Sequence, residues 1–271
     1  MKKFNLISSG SALALALGFA LPASAQFAYN FSTGGSCDFP PATCSVAGTA
    51  TVASSLTISG WSAASGATFV AATITDQGTS GIGMTTLGET TASPDHAIDN
   101  NGSQELVLLN FGTNKVVLTG LSTGWSNNDT DVAVLRWTGA TGPDLASTKV
   151  TDSITGLVAK GWSIVSSSDL DAISAATGGD ITGKTGTTGL AVTAANSSSW
   201  WIVSSYFGGG SLALDSQADY FKLLSISATC VSSTSGGACN TTPGGVPEPT
   251  SLALAGLALA GVGYSRRKKA K

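Results

Sequence analysis

The stretch richest in groups that could do chemistry is Asp95-His96-Ala97-Ile98-Asp99-Asn100-Asn101-Gly102, followed by Glu105 and the apolar Leu106 to Leu109. A second acidic segment, Asp129-Thr130-Asp131, leads into Val132 to Leu135. Asn101-Gly102 is a strong turn signal, so the first carboxylates sit in a loop that feeds a buried strand. Calcium takes about six to eight oxygens, and Asp95, Asp99, Asn100, Asp129 and Asp131 offer several. The spacing is not that of an EF-hand loop, because the regular Asp-x-Asp-x-Asp-Gly series is absent. Asp and Asn in loops more often hydrogen-bond their own backbone, and that plainer role is the first expectation here.

Catalysis fits the sequence poorly. His96 is the only histidine, and its nearest acidic neighbours share one short loop with no Gly-x-Ser-x-Gly elbow. Asp95 and Asp129 could form the carboxylate pair of a glycoside hydrolase, but no cluster of aromatic platforms accompanies them. The chain is therefore expected not to be an enzyme and to hold no cofactor beyond a possible Ca2+. Trp200-Trp201 and Tyr206 suggest a different use, stacking on neutral polysaccharide. On a strand the two adjacent indoles point to opposite faces, so one of them belongs to the core.

These groups need a scaffold that carries them. Between residues 26 and 245 there are six basic and fifteen acidic residues, a net charge of −9. So acidic a segment repels phosphate backbones, which argues against nucleic-acid binding. Segments of β-branched and aromatic residues recur between Gly, Asn and Asp punctuation: Thr49 to Trp61, Ala67 to Thr75, Glu105 to Phe111, Lys115 to Leu121, Val132 to Trp137, Ile154 to Leu157, Trp162 to Val165, Gly189 to Thr193, Trp200 to Phe207 and Tyr220 to Cys230. About ten short strands predict an all-β, antiparallel β-sandwich of jelly-roll type. The spacing predicts one helix, Ser168 to Thr177, with Ser168 as N-cap and Gly178 as stop.

Four cysteines stand as two local pairs, Cys37 with Cys44 and Cys230 with Cys239. Disulfides within each pair would close small loops worth about 2.5 kcal/mol apiece and pin the entry and exit of the domain. Zinc does not suit the spacing, since neither pair is Cys-x-x-Cys.

The two ends speak of export. Lys2 and Lys3, the apolar Leu6 to Leu21 and the small residues Ala23-Ser24-Ala25 follow the order of a secretory signal peptide, with cleavage between Ala25 and Gln26. At the other end Val246-Pro247-Glu248-Pro249 precedes the apolar Leu252 to Tyr264, and Arg266, Arg267, Lys268, Lys269 and Lys271 close the chain. As a helix that apolar segment would reach about 20 Å, short of the roughly 30 Å hydrocarbon core, which makes it a marginal lasting anchor. The two prolines keep the stretch before it extended and open to processing.

At these residues the chain resembles the PEP-CTERM sorting signal, which joins a Pro-Glu-Pro motif, a short transmembrane segment and an arginine-rich end. The resemblance implies export through the Sec machinery, transient insertion of the tail in the inner membrane, and processing by exosortase. It further implies release to the surface or extracellular matrix of a Gram-negative bacterium, where extracellular polysaccharide is the natural partner. The Asp95-His96-Ala97-x-Asp99-Asn100 motif, with Gly124-Trp125 and Asp219-Tyr220-Phe221-Lys222-Leu223, is similar to a family of exosortase-dependent surface proteins. That likeness would run from about Ala92 to Ala228 and brings no established activity with it. The expected organisation is a signal peptide over 1–25, a β-sandwich surface domain over 26–242, a linker with the Pro-Glu-Pro motif over 243–249 and a sorting signal over 250–271.

Overall fold

A computed structural model describes residues 26–31, 43–47, 55–86, 88–89, 94, 96–128, 130–149, 154–169, 187–189, 196–206 and 218–231. Its strands are β1 (Gln26–Asn30), β2 (Thr43–Ala47), β3 (Ser55–Ala64), β4 (Val70–Asp76), β5 (Ile82–Thr85), β6 (Ile98–Asp99), β7 (Ser103–Asn110), β8 (Val116–Asn128), β9 (Asp131–Trp137), β10 (Trp162–Asp169), β11 (Thr187–Gly189), β12 (Trp200–Ser205) and β13 (Asp219–Cys230). One five-residue helix, α1 (Thr155–Ala159), precedes β10. All strand pairs are antiparallel, in the order β10-β9-β12-β7-β3-β4-β5-β13-β8-β11, with β1 and β6 added on β13 and β2 on β3. The fold is all-β, as the sequence predicts.

The path folds back on itself at β4, which pairs with β3 on one side and β5 on the other. Two layers result, and the main core lies where their inner faces meet. Leu56, Ile58, Val107, Leu109, Val132, Val134, Trp201 and Val203 meet Ile82, Met84, Val116, Leu118, Phe221, Leu223 and Ile226 there. The layer of β10, β9, β12, β7 and β3 is also covered on its other face. Leu106, Leu108, Ala133, Leu135 and Ile202 pack there under Phe69, Leu145, Ile154 and the α1 residue Leu157. Burial on both faces explains the unbroken apolar runs Leu106–Leu109 and Val132–Leu135, which lack the alternation of a half-exposed strand.

Three expectations need correction or extension. Ile154 to Leu157 reads as a strand by composition but closes as the first turn of α1, where Ile154 and Leu157 cap the outer core. Ser168 is not a helix N-cap: it lies in β10 paired with Val132, so tertiary pairing with β9 overrides the local capping signal. The rest of that predicted helix lies outside the described residues. The short strands β1, β2, β5 and β6 are additions that composition alone did not mark.

Candidate functional site

The acidic motif builds a hydrogen-bonded clamp that joins four strands. In β6, Asp99 pairs with Tyr220 of β13, and its Oδ1 accepts the Asn101 N–H at 2.9 Å, an Asx turn that bends the chain toward β7. The Asn100 amide then reads two other strands at once. Its Nδ2 donates to Asp219 Oδ2 at 2.6 Å and to the Tyr206 carbonyl at 2.7 Å, while its Oδ1 accepts the Asp219 N–H at 2.9 Å. The second carboxylate oxygen of Asp219 accepts the Asp131 N–H at 2.6 Å, and the Asp131 carbonyl accepts the Tyr206 N–H at 2.8 Å. Asn100 thus stitches the starts of β9 and β13 to the end of β12, with every amide atom employed.

Glu105 completes this region from β7. Its Oε2 accepts the Asp99 N–H at 3.1 Å, and its Oε1 is buried without a hydrogen-bond partner. Asp99, Glu105, Asp131 and Asp219 are 1, 0, 3 and 2 % exposed. Burial, and secondarily the charges of Asp99 and Glu89, hold the Glu105 carboxyl well above the usual carboxylate range. The adjoining His96 is half-buried and its carbonyl rests on β5: a Cβ on Gly83 would stand 1.9 Å from the His96 oxygen, which leaves room for glycine alone.

At the opposite ends of the same strands lies a cleft of about 560 Å³. The β7–β8 turn (Gly112, Lys115), the end of β9 with the loop Thr138–Gly142, and Ser197–Trp200 before β12 form its walls. Ser198 ties these walls together. Its N–H and carbonyl bridge Val116, its hydroxyl donates to the Trp137 carbonyl at 2.9 Å and accepts the Trp200 N–H at 3.1 Å, and its carbonyl takes the Trp201 Nε1–H at 3.1 Å. Trp137 and Trp200 are both half-buried and both line the cleft. Trp137 is fixed by its Nε1 donating to the Thr141 carbonyl and by the tilted ring of Trp162, with centroids 5.2 Å apart. Its indole leaves no space beside Gly139, where a Cβ would come within 2.4 Å of the ring.

A family model for the PEP-CTERM protein-sorting motif matches residues 245–268. The chain carries a PEP-CTERM sorting signal. This signal marks a protein routed by exosortase to the cell envelope or surface, and the match contains Val246, Pro247, Glu248, Pro249, Arg266 and Arg267. The chain matches no curated protein and no solved structure. The PEP-CTERM segment itself lies outside the described residues, as do Ala25, Cys37, Cys239, Asp95 and Asp129.

Of the oxygen donors proposed for calcium in this PEP-CTERM protein, the structure brings Asp99, Asn100 and Asp131 into one region. Asn100 Oδ1 and Asp99 Oδ1 are turned to backbone N–H groups, and among the described residues no group of three or more His, Cys, Asp or Glu side chains is arranged to hold a metal ion. Asp219, which completes the clamp, was legible only as part of the Asp219-Tyr220-Phe221-Lys222-Leu223 segment. The adjacent indoles divide as strand geometry requires, with Trp201 in the main core and Trp200 in the cleft. Tyr206 is buried against the outer core. Trp137, Arg136, Lys115 and Ser198 were missed as site residues. The signal available for them was an Arg-Trp pair ending an apolar strand before the small, polar Thr138-Gly139-Ala140-Thr141-Gly142.

Proposed function

We propose that this chain is a non-catalytic component of the extracellular polymer matrix of a Gram-negative bacterium, whose β domain holds polysaccharide in the Trp137–Trp200 cleft. The observation that carries the reading is that cleft: two half-buried indoles set among Gly, Ser and Thr, at the surface of a domain that bears an exosortase signal. Apolar ring faces with neighbouring hydroxyls and backbone groups suit sugars, whose rings present both C–H faces and hydroxyl edges. Buried Asp99 and Asp219 and half-buried Asn100 serve as a structural clamp in this reading.

The export history belongs to the same proposal. Signal cleavage falls between Ala25 and Gln26, exosortase cuts near Pro247 to Pro249, and Cys37–Cys44 and Cys230–Cys239 form disulfides in the oxidising compartment. Protein recovered from the cell surface is then expected to have the intact mass of a chain from Gln26 to that region, about 4 Da lighter before reduction than after. A mass retaining Leu252 to Lys271 would replace surface release by a membrane-tethered state. For the cleft, the test is retardation of the protein in gels containing matrix polysaccharides, with Trp200→Ala abolishing it. A native chain retarded by no polysaccharide would end the binding reading.

A further inference from the structure

Charge is distributed in the domain in a way that stacking on neutral sugar does not use. With fifteen acidic and six basic residues between 26 and 245, a random surface cleft would carry carboxylates. Among the described residues that line this cleft there is no carboxylate, and there are two of the six cations, Lys115 and Arg136. Lys115 is exposed on the β7–β8 turn, and Arg136 is half-buried at the end of β9. Arg136 Nε is buried without a hydrogen-bond partner among the described residues. That buried nitrogen does not itself reach an outside acceptor, but Arg136 lines the cleft, and a guanidinium presenting its remaining N–H groups there matches a carboxylate in its planar geometry.

Resting on the polysaccharide reading above, we infer that Arg136 and Lys115 form an anion subsite that selects a carboxylate-bearing sugar, a uronic acid residue. The indoles of Trp137 and Trp200, which stand on the other face of the β9–β12 pair from Arg136, would hold neutral units next to that subsite. The domain's net charge of −9 limits the occupant further. A polymer charged at every unit is repelled by the surrounding surface, whereas a chain with uronates spaced among neutral sugars meets the two cations locally and avoids most of that repulsion.

The test uses the full chain in mild detergent and three soluble polymers in affinity electrophoresis or calorimetry. These are a polygalacturonan with about half of its carboxyls methyl-esterified, the same polymer fully esterified, and dextran sulfate. The half-esterified polymer should bind at least tenfold more tightly than the neutral one, and the difference should shrink in 0.5 M NaCl. Arg136→Gln should bring its affinity down to that of the native chain for the neutral polymer. Lys115→Gln, on an exposed turn where folding is not at stake, should remove a smaller part of the same preference. Equal affinity of the native chain for both esterification states would overturn the subsite and leave the stacking cleft standing. Tighter binding to dextran sulfate would overturn the carboxylate assignment. Failure to bind any of the three would remove the polysaccharide reading and the subsite together.

Discussion

The clamp and the cleft sit at opposite ends of the same two strands. β9 starts at Asp131 in the clamp and ends at Arg136 and Trp137 in the cleft, while β12 runs back from Trp200 to the Tyr206 carbonyl that Asn100 binds. About 20 Å of strand separates the two ends. At one end both amide atoms of Asn100 are spent on protein partners, while Glu105 Oε1 beside them has none; at the other end Arg136 lines an open cleft with two indoles. The contrast is between polar groups turned into the fold and polar groups at the wall of a cleft, although both stand at strand ends.

The largest effect should come from the clamp. Asn100→Ala removes three hydrogen bonds and leaves the buried Asp219 carboxylate, the Asp219 N–H and the Tyr206 carbonyl short of partners. At about 1–3 kcal/mol for each buried group left unsatisfied, the loss is on the order of 3 kcal/mol or more, or roughly a 10 °C fall in Tm. Polysaccharide retardation at 10 °C should be unchanged. If retardation disappears while the thermal transition persists, the two ends are not separable in the way argued.

A smaller effect, with a definite sign, should come from Glu105. Its folded-state pKa is raised, so its favourable contribution is fully present below the unfolded carboxylate pKa and is lost as pH rises through the folded value. Glu105→Gln mimics the protonated form and should flatten that decline. Tm at pH 8 is then expected to rise by about 3 °C relative to the native chain, with little difference at pH 4. A mutant that melts lower than the native chain at pH 8 would show that Glu105 is held there as a carboxylate.

Much of this contrast was legible in the sequence, for reasons that differ between the ends. The clamp announced itself because Asp99, Asn100, Asn101 and Gly102 act locally, through an Asx turn that four consecutive residues encode. Its partners were not legible, since Asp219 meets Asn100 across 119 positions and only the register of β6 on β13 brings them together. The cleft was half visible. Period-two geometry divides Trp200 from Trp201, but the indole that faces the same space, Trp137, arrives there through the β9–β12 register and through a loop whose Gly139 has no room for a Cβ. The same limit explains α1, where packing over the outer core decided between strand and helix for a segment too short to decide for itself.

That Gly139 constraint yields a third test, aimed at the cleft alone. Gly139→Ala places a methyl against the Trp137 ring, so the indole must shift, and polysaccharide affinity should fall about threefold to tenfold. Because the loop is exposed, stability should change by under about 1 kcal/mol. A binding loss accompanied by a Tm drop as large as that of Asn100→Ala would mean that the loop is part of the fold's support, contrary to the division drawn here.

The smallest expected effect concerns calcium, and it bears on which end of β9 could take an ion. Asp99 and Asn100 spend the oxygens described above on Asn101 and Asp219 N–H groups, and among the described residues no group of three or more His, Cys, Asp or Glu side chains is arranged to hold a metal ion. Saturating a site with free ligand at 100 times its Kd would stabilise the domain by about 2.7 kcal/mol, an effect easily read in a melt. Thermal transitions measured in millimolar Ca2+ and in excess chelator should therefore coincide within about 1 °C. A calcium-dependent rise of several degrees would bring Asp95 and Asp129 into the region as additional oxygen donors, and would convert the clamp from a set of internally satisfied hydrogen bonds into the support of a metal centre.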